Sequence, residues 1–125
     1  MHPQQPSASS ADPLVLAADE IHVWFGGLDD IANFGSLPRW RDMLTKAEWD
    51  RCARYVFPDD GAVRRAARVM LRTVLSRYAP VAPEAWQFET NSLGKPKIHG
   101  PDGILPLRFN LSHTRGLIAV AAHPD

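Results

Sequence analysis

Cysteine occurs once in the 125 residues, at Cys52. No disulfide can close within the chain, which excludes the stapled scaffolds of small secreted proteins. Cys52 is expected to pack as a small hydrophobe in the helix after Thr45 rather than to react. No apolar run approaches the roughly 20 residues of a membrane span. The opening stretch, Met1 to Pro13, is rich in Gln, Ser and Pro and lacks the basic and apolar blocks of a signal peptide, so a cytoplasmic protein with no membrane partner is expected. Residues 1–18 are read as a disordered leader and 19–125 as one subdomain. Net charge is zero, and no surface aromatics interleave with the basic residues, which argues against a nucleic-acid binder. His22, His99 and His123 show no ligand-like spacing, and no metal site of His and Cys is expected.

With 45% hydrophobic and 22% charged residues, the chain can bury one modest core. Its zero net charge hides a segregation. Residues 1–38 hold five acids and no Lys or Arg, residues 39–77 hold ten basic and five acidic side chains, and the remainder carries four of each. The middle third is therefore expected to face anions.

Thr45-Lys46-Ala47-Glu48 is a capping box, and Leu44 with Trp49 forms a hydrophobic staple, so a helix begins at Lys46 and carries Arg51 and Arg54. After a break at Pro58-Asp59-Asp60 a second helix is predicted from about Gly61 to Tyr78, with Val63, Ala67, Met70, Leu71, Val74 and Tyr78 on one stripe. Arg65, Arg68 and Arg72 fall on the other side, with Arg64 beside them. As a bare pattern such a row reads as a solvated face, a reading weakened by its company with Lys95, His113 and Arg51 in one small domain. Trp24, Trp40, Trp49 and Trp86 are read as core and interface anchors. Strands are predicted near 20–25, 86–90, 107–111 and 117–122, giving an α+β fold in which a small antiparallel sheet packs on the two helices.

Two polar clusters beside these strands carry the chemistry. Asn91-Ser92-Leu93-Gly94-Lys95-Pro96 places one ammonium on a Gly-Pro turn, where backbone can approach a phosphate closely. Pro96 replaces the hydroxyl that a Walker-type loop would need. Phe109-Asn110-Leu111-Ser112-His113-Thr114 gathers an amide, a hydroxyl and an imidazole. Neighbours in a strand point to opposite faces, so a turn or bulge at the strand end is expected if Ser112 and His113 serve one ligand. A Ser-His hydrolase is disfavoured because nucleophile and base normally converge from different segments with an acid behind them. His113 is read as a phosphate donor or polarising group rather than a structural histidine.

In order and spacing, these segments resemble the long, pseudo-dimeric phosphopantetheinyl transferases that activate peptide and polyketide synthetases of secondary metabolism. The resemblance runs from Ile21 to His123 and rests on the Asn-x-x-Gly-Lys-Pro turn, the Phe-Asn-Leu-Ser-His-Thr run and the apolar strand after it. The first strand Ile21-His22-Val23-Trp24 and the arginine helix add to it. It implies transfer of 4′-phosphopantetheine from coenzyme A to a carrier-protein serine, with Arg51 and Arg64 at the nucleotide end, Lys95 and Pro96 holding the ligand, and Ser112 and His113 at the phosphates, His113 being the catalytic candidate. It also implies magnesium. The family's Gly-x-Asp-x-Glu strand has no counterpart here, because Asp125 is the only carboxylate side chain after Ser112, so no metal ligand is assigned. The implied fold is one half of the pseudo-twofold transferase: a truncated, N-terminal half expected to be inactive alone and to need the C-terminal half or self-association. A non-catalytic module that binds coenzyme A or the carrier protein is the rival reading.

Overall fold

A computed structural model describes residues 13–27, 41–54, 58–90, 92–93, 95–101, 107–114 and 116–124. Expectations that fall on Asn91, Gly94, Trp40 and most of the leader lie outside these residues. Within them, Leu14 N–H donates to Arg77 O at 2.7 Å and Leu16 packs on the core.

Strands β1 (His22–Gly27), β4 (Arg108–His113) and β5 (Leu117–His123) form an antiparallel sheet in the order β1-β5-β4, and β2 (Gln87–Thr90) pairs with β3 (Pro96–Gly100) in a separate two-stranded sheet. Helices α1 (Lys46–Ala53) and α2 (Pro58–Leu75) complete the α+β architecture, with a 3-10 turn at Pro83–Ala85. β5 is central because its alternate residues Ile118, Val120 and Ala122 are fully buried against α2, as a half-buried strand requires. The opposite face of that sheet exposes Val23 and Phe25. Leu71, Val74, Leu75, Tyr78 and Trp86 fill the centre of the core, as the expected stripe and the anchoring role of Trp86 imply. No described helix is long and apolar enough to cross a membrane.

The capping box forms: Glu48 N–H donates to Thr45 Oγ1 at 3.1 Å and Thr45 N–H to Glu48 Oε1 at 2.9 Å. Leu44 is buried with Trp49 packed in the same cluster. The second helix departs from expectation at both ends. It starts at Pro58, since a proline in the first helical position forfeits no intrahelical bond. It ends at Leu75, after which Arg77 N–H and Tyr78 N–H bond only three residues back, to Val74 O and Leu75 O. Strand β3 was not predicted. It begins on Pro96, where a strand tolerates the missing donor, and its residues read as turn chemistry.

The arginine row is not a solvated face. Arg72 is 1% exposed, Arg68 is largely covered, and Arg65 lies 3.8 Å over the Trp49 ring while donating to Trp49 O at 3.0 Å. Their inward packing has one cause. Glu48 on α1 and the rings of Trp49 and Phe88 offer these guanidinium groups carboxylate and π partners on the protein side.

Candidate functional site

A cleft of about 410 Å³ opens between the two helices, the start of β3 and the end of β4. Three elements aim side chains into it for local reasons. On α1, Glu48, Arg51 and Cys52 stand three and four residues apart and so share a face. On α2, Arg64 and Arg68 are separated by one turn. On β4, Phe109, Leu111 and His113 alternate onto the inner, half-buried face. Lys95 and Pro96 close the fourth side from the hairpin.

Five of the six expected site residues, Arg51, Arg64, Lys95, Pro96 and His113, therefore line one cleft. Ser112 does not. β4 pairs regularly with β5 through both residues, Ser112 opposite Ala119 and His113 opposite Ile118, so no turn or bulge rotates them together. The expected kink is absent because the β5 ladder continues to the strand end, and the Ser112 side chain stays on the exposed outer face.

Charge in the cleft is strongly one-sided. Arg51, Arg64 and Lys95 are exposed cations on its walls, Arg68 is a half-buried one, and Glu48 is the sole carboxylate among the lining residues. Glu48 is already committed: Oε1 accepts from Arg72 Nη2 at 2.7 Å, and Oε2 pairs with Arg68 Nε at 3.2 Å. Burial pulls the Arg68 guanidinium below its ordinary pKa, with the Glu48 carboxylate opposing the shift and Arg72 and Arg51 adding to it. Burial likewise pushes the Cys52 thiol up, which suits the inert packing role expected of it. Such a cleft is built for a ligand with several negative charges. Among the described residues no group of three or more His, Cys, Asp or Glu could hold a metal ion.

Glu48 and Cys52 also line the cleft and were not expected there; Arg68 and Asn110 line it too, although in sequence they read only as members of the arginine row and of the polar run at 109–114. A signal for the first three was present. Glu48 and Cys52 share the α1 face of Arg51, and Arg68 follows Arg64 by four, so the helical spacing that selected one residue selects its neighbours.

Comparison with known proteins identifies a family and a fold neighbour. The family described as 4′-phosphopantetheinyl transferase, N-terminal, matches residues 36–125. The 4′-phosphopantetheinyl transferase HetI of Nostoc sp. is 33% identical over 110 residues, which cover 88% of this chain and 46% of that protein. The chain thus spans about half the length of this curated relative. Holo-acyl-carrier-protein synthase (AcpS) of Neisseria meningitidis shares the fold, with a TM-score of 0.57 at 17% identity over 84% of this chain and 96% of that one. By the family match over most of its length, the chain belongs to the 4′-phosphopantetheinyl transferase N-terminal family.

Proposed function

We propose that this chain is the coenzyme-A-binding N-terminal half of a long, pseudo-dimeric 4′-phosphopantetheinyl transferase. The observation that carries the reading is the convergence of Arg51, Arg64, Lys95, Pro96 and His113, drawn from four segments, on one cationic cleft. In the reaction, the serine oxygen of a carrier protein attacks the β-phosphorus of coenzyme A. The bond from that phosphorus to the oxygen bridging the pyrophosphate breaks, adenosine 3′,5′-bisphosphate leaves, and a base takes the serine proton. Such a transfer is governed by positioning and charge stabilisation. Arg51 and Arg64 hold the nucleotide end, Lys95 and the Pro96 backbone hold the ligand, and His113 donates to a phosphate oxygen as charge develops there. Ser112, on the outer face of β4, is given no side-chain contact with the ligand.

The lining residues do not fit magnesium. A hard cation needs several oxygen ligands, and both oxygens of Glu48 are taken by Thr45 N–H, Arg68 and Arg72. The reading therefore assigns the metal and the base to a second half bearing a Gly-x-Asp-x-Glu segment. HetI, of which this chain covers 46%, has length for such a half. Carrier protein and second half are the partners, and the reaction belongs in the cytoplasm, where coenzyme A is found.

Two measurements test this. Coenzyme A added to the labelled chain should move the amide signals of Lys95, Leu111 and His113; shifts confined to other regions sink the assignment. A carrier protein incubated with coenzyme A and magnesium should gain the mass of phosphopantetheine only when a separately produced second half is added, and robust modification by this chain alone would contradict the division of labour.

A further inference from the structure

Resting on the coenzyme A reading of the cleft, we infer that Arg68 is a further phosphate-binding residue and that Glu48 is the positioning residue that presents it. The argument begins with charge arithmetic. Arg68 and Arg72 share the single carboxylate of Glu48, so the cluster keeps one uncompensated positive charge. Arg72 is held at the back: Nη1 donates to Pro83 O at 2.9 Å and Trp86 O at 2.8 Å and Nη2 to Glu48 at 2.7 Å, while its Nε is buried without a hydrogen-bond partner. Arg68 is held differently. Its Nε meets Glu48 at 3.2 Å, and its guanidinium carbon stands 5.1 Å from the centre of the Phe88 ring. Its terminal amino groups take no part in these contacts, and the side chain lines the cleft beside Arg64 and Arg51.

A guanidinium fork fixed at Nε and covered on one face has lost most of its rotamer freedom, so a bound phosphate does not have to immobilise it. Half-burial strengthens the pairing, because a charge taken partly out of water gains more from a counter-ion than an exposed one does. Burial is the main reason its pKa is depressed, with Glu48 opposing the shift and the neighbouring Arg72 and Arg51 charges adding to it. An incoming phosphate supplies what the cluster lacks. Arg51, Arg64 and Lys95 at the rim then attract the ligand, and Arg68 holds one phosphate at depth.

The test measures binding of inorganic pyrophosphate, adenosine 3′,5′-bisphosphate and coenzyme A to the intact chain by calorimetry, together with the melting temperature of each variant. Arg68→Gln is expected to weaken at least one phosphate probe by tenfold or more and to flatten the salt dependence of its binding. Arg68→Lys is the second variant: its ammonium is one point charge without the spaced fork that lets Nε face Glu48 while the terminal amino groups face a phosphate. It should recover melting temperature but not affinity, an outcome a purely structural arginine would not give. Which probe suffers most shows whether Arg68 meets the pyrophosphate or the 3′-phosphate. Unchanged affinities for all three in Arg68→Gln, or affinity that returns with melting temperature in Arg68→Lys, overturn the inference while leaving the coenzyme A reading intact. Wild-type binding of pyrophosphate without coenzyme A overturns that reading instead, and Arg68 is then judged on pyrophosphate alone. No binding of any probe by the wild type overturns both.

Discussion

Removing Glu48 should damage the fold far more than removing any other acid on α1. Its carboxylate is 12% exposed and joins three groups: Thr45 N–H at 2.9 Å, Arg72 Nη2 at 2.7 Å and Arg68 Nε at 3.2 Å. Deleting one partner of a buried ion pair costs about 3–5 kcal/mol because the other charge is stranded. Arg72 would keep its two carbonyl partners, which puts the ion-pair share near the lower end, at about 3 kcal/mol. Losing the reciprocal bond of the capping box adds roughly 0.5 kcal/mol. At about 4 °C per kcal/mol for a domain of this size, Glu48→Ala should lower the melting temperature by roughly 12–16 °C. Glu48→Gln keeps an oxygen for Thr45 N–H and should recover only the small capping share. Asp50→Ala is the control, since Asp50 pairs with Lys46 at 2.7 Å in open solvent, where such pairs contribute little; no measurable change is expected. Differential scanning calorimetry of the three variants decides the matter. A shift under about 4 °C for Glu48→Ala would mean that Arg68 and Arg72 find water or other partners as easily as they find the carboxylate, and the account of the inward arginine row would fall.

Further outcomes follow from other contacts. Gly61→Ala should destabilise by about 1–2 kcal/mol, because the new Cβ would lie 2.5 Å from Cys52 O and a backbone clash outweighs the helix propensity gained; chemical denaturation reads it, and a stabilised variant refutes the close approach of α1 and α2. Phe109→Ala should cost about 2–3 kcal/mol, below the value for a fully buried ring, whereas Lys95→Ala should leave melting unchanged and weaken coenzyme A binding; equal melting temperatures would contradict this separation. Desolvation raises the pKa of Tyr78 above its ordinary 10, against opposing contributions from Trp24 and Arg77. The folded state therefore holds that proton more tightly than the unfolded state, so the stability it contributes is present below pH 10 and lost as pH rises beyond it. Tyr78→Phe should flatten that alkaline loss in urea titrations from pH 8 to 11, and parallel curves for the two proteins would exclude Tyr78 as its source.

Much of the fold was legible because it is written in local rules. The capping box at Thr45 and Glu48 satisfies orphan amides wherever it occurs, and the Val63-to-Tyr78 stripe needed only a helical period. β5 announced itself by small and branched residues, although its burial depends on α2. What escaped reading depends on partners remote in sequence. The Arg65, Arg68 and Arg72 row has the spacing of a solvated face, and nothing within α2 says that a carboxylate from α1 and a ring from β2 will meet it. β3 was hidden because Pro96-Lys97-Ile98-His99-Gly100 holds a single apolar residue, and its strand character comes from pairing with β2. The site was legible in a similar proportion. Arg51, Arg64, Lys95, Pro96 and His113 converge, and the α2 arginine one turn beyond Arg64 was read only as a member of the arginine row.

The two sheets share no strand pairing among the described residues. Lys95 and Pro96 enter the cleft from one, His113 from the other, and the ring contact of Phe88 with Phe109, edge-on at 5.8 Å, spans the gap between them. Backbone ladders fix distances within a sheet to a fraction of an ångström, whereas two rings meeting edge to face set a spacing that depends only on the size of the side chains involved. The width of the cleft is accordingly an adjustable dimension. A Leu or Tyr at either ring position would move one wall relative to the other without breaking a single ladder bond, so ligand selectivity in this architecture can drift through Phe109, which lines the cleft, and through Phe88 behind it, which does not.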